Sequence, residues 1–266
     1  MRASLNLYDE SSFADQTARA AAQLLLDLRL QEENGEITSG SELGRMGSTW
    51  ADMLIRTRIR AQYPTDLVLT PHTPTDPKRT RAKRVWLVDP LNGIGQFSRP
   101  GCPDWAVQIA LWQRGQGVTA AAVAVPALCA YAHTGQRLPL PVAPGQRPLT
   151  QPRLLVDSRD PSSHAGAAAC RVDADVLAMG SAGANVLAVV RGEADAYLHT
   201  AGQGAWTAAA PLAVAAAAGL VVRRVDGHPV RYDHGEPLLP DLLVCHPYLD
   251  DDLSGALLPG ELAEAS

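Results

Sequence analysis

The sequence is short of lysine, of basic charge, of paired cysteines and of long apolar runs, and each shortage removes a class of protein. Only Lys78 and Lys83 among its 23 basic residues are lysine, and 28 acidic residues leave a net charge of −5. A histone-like or arm-type nucleic-acid binder needs the opposite balance to gain from counterion release. Cys102, Cys129, Cys170 and Cys245 never form a Cys-x-x-Cys pair, so zinc and dithiol readings lose their warrant and reduced thiols are expected. No uncharged run of about 18 apolar residues occurs, and Met1–Leu30 lacks the basic start and apolar stretch of an export signal. A cytoplasmic protein with no membrane or nucleic-acid partner is the expectation.

What is present suffices for a large core. The chain has 266 residues, 46% hydrophobic and 19% charged, which suits a folded protein of one or two domains. Its 43 alanines speak of base composition more than of function.

Apolar residues spaced by three and four predict a helix over 11–30, and a second from Ser48 to Ala61 that Pro64 ends. Strands are expected at 66–70, 85–88, 105–112, 119–125 and 154–157. The second half predicts a helix at Gly183–Val190, a strand at Ala194–His199, a helix at Thr207–Ala218 and closing strands at 220–223 and 242–246. Trp105-Ala106-Val107-Gln108-Ile109-Ala110 is more apolar than a half-exposed strand, so cover on both faces is expected. Pro71–Arg84 reads as a polar loop whose Arg79, Arg81, Lys83 and Arg84 form either a solvated face or a clamp over a phosphorylated ligand. Gln136–Pro152 reads as a Pro/Gly-rich connection.

Three motifs stand in order along the chain: Asp89-Pro90-Leu91-Asn92-Gly93-Ile94 after a strand, Gly180-Ser181-Ala182-Gly183 opening a helix, and Trp206-Thr207-Ala208-Ala209-Ala210-Pro211 opening another. They resemble the inositol monophosphatase family, whose signatures read Asp-Pro-(Ile/Leu)-Asp-Gly-Thr and Trp-Asp-x-Ala-Ala-Pro. Asp104-Trp105-Ala106-Val107, Asp195–His199 and Pro240-Asp241-Leu242-Leu243 resemble the bacterial 3'(2'),5'-bisphosphate nucleotidase branch.

The resemblance implies an α/β fold of layers α/β/α/β, sugar-phosphatase-like, with sub-domains at 1–150 and 151–266. It also implies a phosphorylated small molecule or nucleotide as ligand, and a homodimer. In such enzymes carboxylates hold Mg²⁺ ions that generate a hydroxide and neutralise the phosphate. Carried over residue by residue, Asp89 and the Leu91 carbonyl remain as metal candidates. The second signature Asp is Asn92, the Thr is Ile94, the Asp after Trp206 is Thr207, and the family's Glu-Glu pair is Pro71-His72. Gly44, Arg45 and Met46 offer no substitute, and Asn185 stands where the branch has Lys.

Mg²⁺ is therefore expected weakly if at all, with another divalent ion such as Zn²⁺ open through His72, Asp89 and Asn92. His72, Asp89, Asn92 and Thr207 are the catalytic candidates, with Asp76 a possible displaced carboxylate. Gly93, Gly180, Ser181, Ala182, Gly183, His199 and Trp206 are the substrate-binding candidates, the helix start at 180–183 offering donors to an anion. Thr207 is expected to cap its helix. Three readings follow: a divergent homologue with impaired phosphatase activity, a repurposed enzyme using the same cleft, and a residual nucleotidase or non-catalytic partner of an active paralogue.

Overall fold

The computed structural model describes residues 9–36, 39–73, 76–138, 151–158, 163–233 and 235–257. Helices α1 (Glu10–Glu33) and α2 (Gly40–Gln62) open the chain, and β1 (Leu67–Leu69) follows. β2 (Arg84–Asn92), the short α3 (Ile94–Phe97), β3 (Ala106–Gln113), β4 (Gly117–Val125) and β5 (Ala130–His133) complete the first half. Then come β6 (Arg153–Asp157), α4 (Ser163–Val172), β7 (Asp175–Met179), α5 (Ala182–Val190), β8 (Ala196–His199) and β9 (Gln203–Gly204). α6 (Ala205–Ala217), β10 (Val221–Arg223), β11 (Leu238–Leu239), β12 (Leu242–Cys245) and α7 (Asp250–Leu257) end it.

Two five-stranded sheets organise the layers, in the orders β1-β2-β3-β4-β5 and β10-β12-β8-β6-β7. One face of the first sheet packs on α1 and α2 through Leu25, Ile55, Trp86, Trp105 and Ile109. Its other face and the second sheet enclose α5 and α6, whose small residues Ala184, Ala208 and Ala209 let the two helices lie between sheets. The alanine richness thus has a packing use at the centre of the molecule. The four expected layers are present, and α4 and α7 add a fifth, packed on the outer face of the second sheet through Ala168, Leu249 and Leu253. The expected boundary at 150/151 adjoins residues 139–150, outside the described residues.

Two element starts differ from expectation. α2 begins at Gly40, capped by Ser39, rather than at Ser48. Two glycines in its first half serve close packing: a Cβ on Gly44 would lie 2.9 Å from Ile94 Cγ2, and one on Gly47 2.8 Å from Phe97 Cε1. α6 begins at Ala205 with Gly204 as its cap residue, so Thr207 sits inside the first turn and does not cap.

The basic run is also corrected in part. Arg79 is buried and donates to the carbonyls of Tyr232 (2.8 Å) and Gly235 (3.0 Å). Arg84 is held by both Asp66 oxygens (2.9 and 3.1 Å) and by Glu10 (3.2 Å). Both guanidinium groups tie the fold together, which removes them from a ligand clamp.

Candidate functional site

β2 carries Asp89 into the interior, and its pairing with β3 shifts register between Asp89 and Asn92. Gly93 follows in the left-handed region at φ 87°, which a side chain would strain, and turns the chain into α3. The bend brings Asp89 and Asn92 together, 6% and 8% exposed. An ionised carboxylate only accepts, so Asn92 presents its amide N–H₂: Nδ2 donates to Asp89 Oδ2 at 3.2 Å. Thr207 Oγ1, delivered by the first turn of α6, donates to the same oxygen at 2.8 Å.

Leu91, a metal candidate through its carbonyl, gives its backbone N–H to the Asp89 carboxylate. Burial pushes Asp89 up to about 6, opposed by the hydrogen bonds from Thr207, Leu91 and Asn92 and by the neighbouring His72. The carboxylate is thus surrounded by donors and poorly solvated.

The network extends through Asn92. Its Oδ1 accepts from Gln108 Nε2 at 2.8 Å and from Gly183 N at 3.3 Å. Turning the Gln108 amide over would let it donate to the Thr207 carbonyl and accept from Gly183 N at 3.1 Å, but would set its oxygen against Asn92 Oδ1. With the Asn92 N–H₂ committed to Asp89, Asn92 Oδ1 needs a donor, and the Gln108 N–H₂ supplies it. Gly183 is required by space here, since a Cβ would lie 2.6 Å from Ala106 Cβ.

The helix start at 180–183 is more closed than expected. Gly180, Ser181, Ala182 and Gly183 are all buried. Gly180 N donates to the Asp104 carboxylate and Gly183 N to Asn92, while Ser181 Oγ accepts from Ala184 N at 3.2 Å as the helix cap. The expectation of open backbone donors is corrected for Gly180 and Gly183. Asn185 is buried as well, its Nδ2 donating to the Ser181 carbonyl at 2.9 Å.

The remaining candidates scatter around this network. His199 is buried on β8, its ring 6.4 Å from that of Tyr197, with no hydrogen bond from either ring nitrogen to a described residue. Trp206 is half-buried and packs over Gly204. Asp76 caps a 3₁₀ turn through Lys78 N (2.8 Å), a local role. Trp105 is fully buried with its ring 4.9 Å from Phe97, as core.

His72 belongs to a neighbouring cavity. Its backbone N–H donates to Thr70 Oγ1 at 3.0 Å, and its Nε2 lies 2.7 Å from Ser48 Oγ on α2. The cavity, about 680 Å³, is lined by Ser48, His72, Arg45 and Ile94 among others. Sequence reasoning missed Gln108, Ser48 and Asp104 as members of the region. Asp104 opens one of the motifs quoted for the resemblance, and Gln108 stands out as one amide within a strand otherwise buried on both faces, whereas Ser48 carries no signal.

Layered sheets around a central helix pair, with a buried Asp near the end of the second strand, define a layered α/β scaffold. The chain belongs to the inositol monophosphatase family, whose model matches residues 8–254. It is 38% identical over 256 residues to a 3'-phosphoadenosine 5'-phosphate phosphatase of Mycobacterium leprae (strain TN), over 93% of each chain. A protein of the same description from Mycobacterium bovis (strain ATCC BAA-935 / AF2122/97) is 39% identical over 219 residues, 81% of this chain and 82% of that one. In three dimensions the fold is similar to inositol monophosphatase II from Staphylococcus aureus MSSA476, with TM-score 0.75 and 20% identity, over 93% of this chain and 95% of that one. Among the described residues no helix is long and apolar enough to cross a membrane.

Proposed function

We propose that this chain is a divergent member of the bisphosphate nucleotidase branch that binds a phosphorylated small molecule or nucleotide and has lost most Mg²⁺-dependent phosphatase activity. The observation that carries the reading is Asp89 Oδ2, which accepts from Asn92 Nδ2 and Thr207 Oγ1. Both partners stand where the family's motifs have carboxylates. The chemistry of the donor set does not fit Mg²⁺, which asks for several anionic or neutral oxygens around one point. Here one carboxylate meets an amide N–H₂, a hydroxyl hydrogen and a backbone N–H. Among the described residues no group of three or more His, Cys, Asp or Glu side chains is placed to hold a metal ion.

The relatives' described activity supplies the assay. Phosphate release from 3'-phosphoadenosine 5'-phosphate is measured with Mg²⁺ for the unaltered protein and for the triple variant Pro71→Glu, Asn92→Asp, Thr207→Asp. Turnover near background in the first and a gain in the second is expected. Robust Mg²⁺-dependent turnover by the unaltered protein would sink the reading.

A further inference from the structure

The cavity beside His72 is lined in part by Ile94 and two glycines, and its polar groups carry charge of one sign only. Ser41, Arg45, Ser48 and Thr49 come from α2, Ser98 from the end of α3, and His72 from the turn after β1. Among the described lining residues none is acidic. Asp89 is buried and does not line it, and Glu42, in the first turn of α2, is exposed outside it. Arg45 is exposed on α2, and among the described residues it meets no carboxylate within ion-pair distance.

The Ser48–His72 pair adds a donor whichever tautomer the imidazole takes. The pair owns two polar hydrogens, the hydroxyl proton and one ring N–H, and their mutual contact at 2.7 Å uses one. The other remains for a ligand oxygen. His72 is also fixed in place: its own N–H bonds Thr70 Oγ1, and Thr73 Oγ1 spans back to the Thr70 carbonyl at 3.1 Å. The amino end of α2, at Gly40 and Ser41, opens on the same cavity and contributes the positive end of a 23-residue helix.

From this lining we infer that the cavity is a metal-independent binding site for a phosphate-bearing anion, held directly by Arg45 with the Ser48–His72 pair and the Thr49 and Ser98 hydroxyls. The inference deepens the reading of a retained phosphorylated ligand. It assigns the charge neutralisation that ions perform in the family to this chain's own arginine, on a wall where the Glu-Glu pair has become Pro71-His72. A planar guanidinium fits the oxygens of a phosphate and needs no bridging ion.

Inorganic phosphate is the probe, titrated calorimetrically into the full chain in EDTA and again in Mg²⁺. Saturable binding in EDTA, unchanged by Mg²⁺, is expected. Arg45→Gln should weaken it by about tenfold or more, the loss of one charge-assisted contact. His72→Gln should weaken it less, and Arg60→Gln, on the same helix but outside the cavity, should leave it unchanged. Circular dichroism verifies that each variant is folded. Absent binding in EDTA, binding that appears only with Mg²⁺, or an Arg45→Gln variant that binds like the unaltered protein would overturn the assignment. Mg²⁺-dependent turnover would instead sink the lost-activity reading, and the EDTA titration would still decide this one.

Discussion

Asp89→Asn should stabilise the protein at neutral pH relative to acid pH, the reverse of the usual effect of removing a native carboxylate. Burial raises Asp89 from 3.8 to about 6 in the folded state. For a carboxyl raised in this way, its contribution to stability is fully present below the unfolded value near 3.8 and is lost as pH rises through about 6. The interval of roughly two units corresponds to about 3 kcal/mol at neutral pH, at about 1.4 kcal/mol per unit. Asparagine cannot ionise, so the variant escapes that loss. Its Oδ1 can still accept from both Asn92 and Thr207, which share one oxygen of Asp89. It can lose the Leu91 N–H contact, but that loss does not vary with pH. The informative quantity is therefore the slope of the difference between the two proteins. Urea unfolding in EDTA from pH 4.5 to 7.5, followed by tryptophan fluorescence, should show the variant gaining on the parent by about 2 kcal/mol across the window, the remaining ~1 kcal/mol being lost below pH 4.5. A difference that is flat with pH, or a parent that gains on the variant, would refute the burial argument. So would strong stabilisation of the parent by Mg²⁺ at neutral pH that the variant lacks, since a bound cation would then neutralise Asp89.

Two other perturbations test the same region. Gly183→Ala should destabilise by about 1–3 kcal/mol in chemical denaturation, because the added methyl meets Ala106 and Gln108 in a packed interior that has no room to shift; an unchanged midpoint would show that α5 moves freely. Asn92→Asp alone sets a second carboxylate about 3.2 Å from the first, so in EDTA it should cost about 3 kcal/mol or more at neutral pH. That loss should shrink on adding Mg²⁺, and a variant as stable as its parent in EDTA would contradict it.

The fold was legible wherever the chain carried enough apolar residues at one spacing. β2, β3 and β4 read as strands because both of their faces are buried, and α1 read as a helix from its stripe of Ala21, Leu25 and Leu28. β5 has four residues and was too short to separate from the hairpin it joins. α4 and α7 were missed because each buries only a few small or scattered apolar groups on the second sheet. β7 was missed for a different reason: it is an edge strand exposed along most of its length, with Val176 and Leu177 both more than 40% exposed. Asp89, Asn92 and Thr207 could be assembled from motif order alone. Gln108 and Ser48 could not, since nothing along the chain says that an amide on β3 and a hydroxyl on α2 will face them.

The substitutions at the centre act as a set because charge there must balance. A buried carboxylate needs either a cation or enough donors, and Asp89 has donors. With Asn92 and Thr207 each contributing a hydrogen to Oδ2, the site carries at most one negative charge where the family's motifs place several. Returning a carboxylate to either position removes a donor from Asp89 and adds a like charge beside it, so each reversal alone is opposed by both terms. A cation relieves them only once several carboxylates are present to hold it. The donor-satisfied network is therefore a stable arrangement in its own right, separated from the metal-binding one by single steps that each destabilise the fold. The adjoining cavity faces no such constraint. Arg45 is exposed and the His72 turn is braced by Thr70 and Thr73 rather than by the Asp89 network. Anion binding at that wall can thus persist while the interior holds Asp89 by donors alone, and the two properties should be separable by mutation.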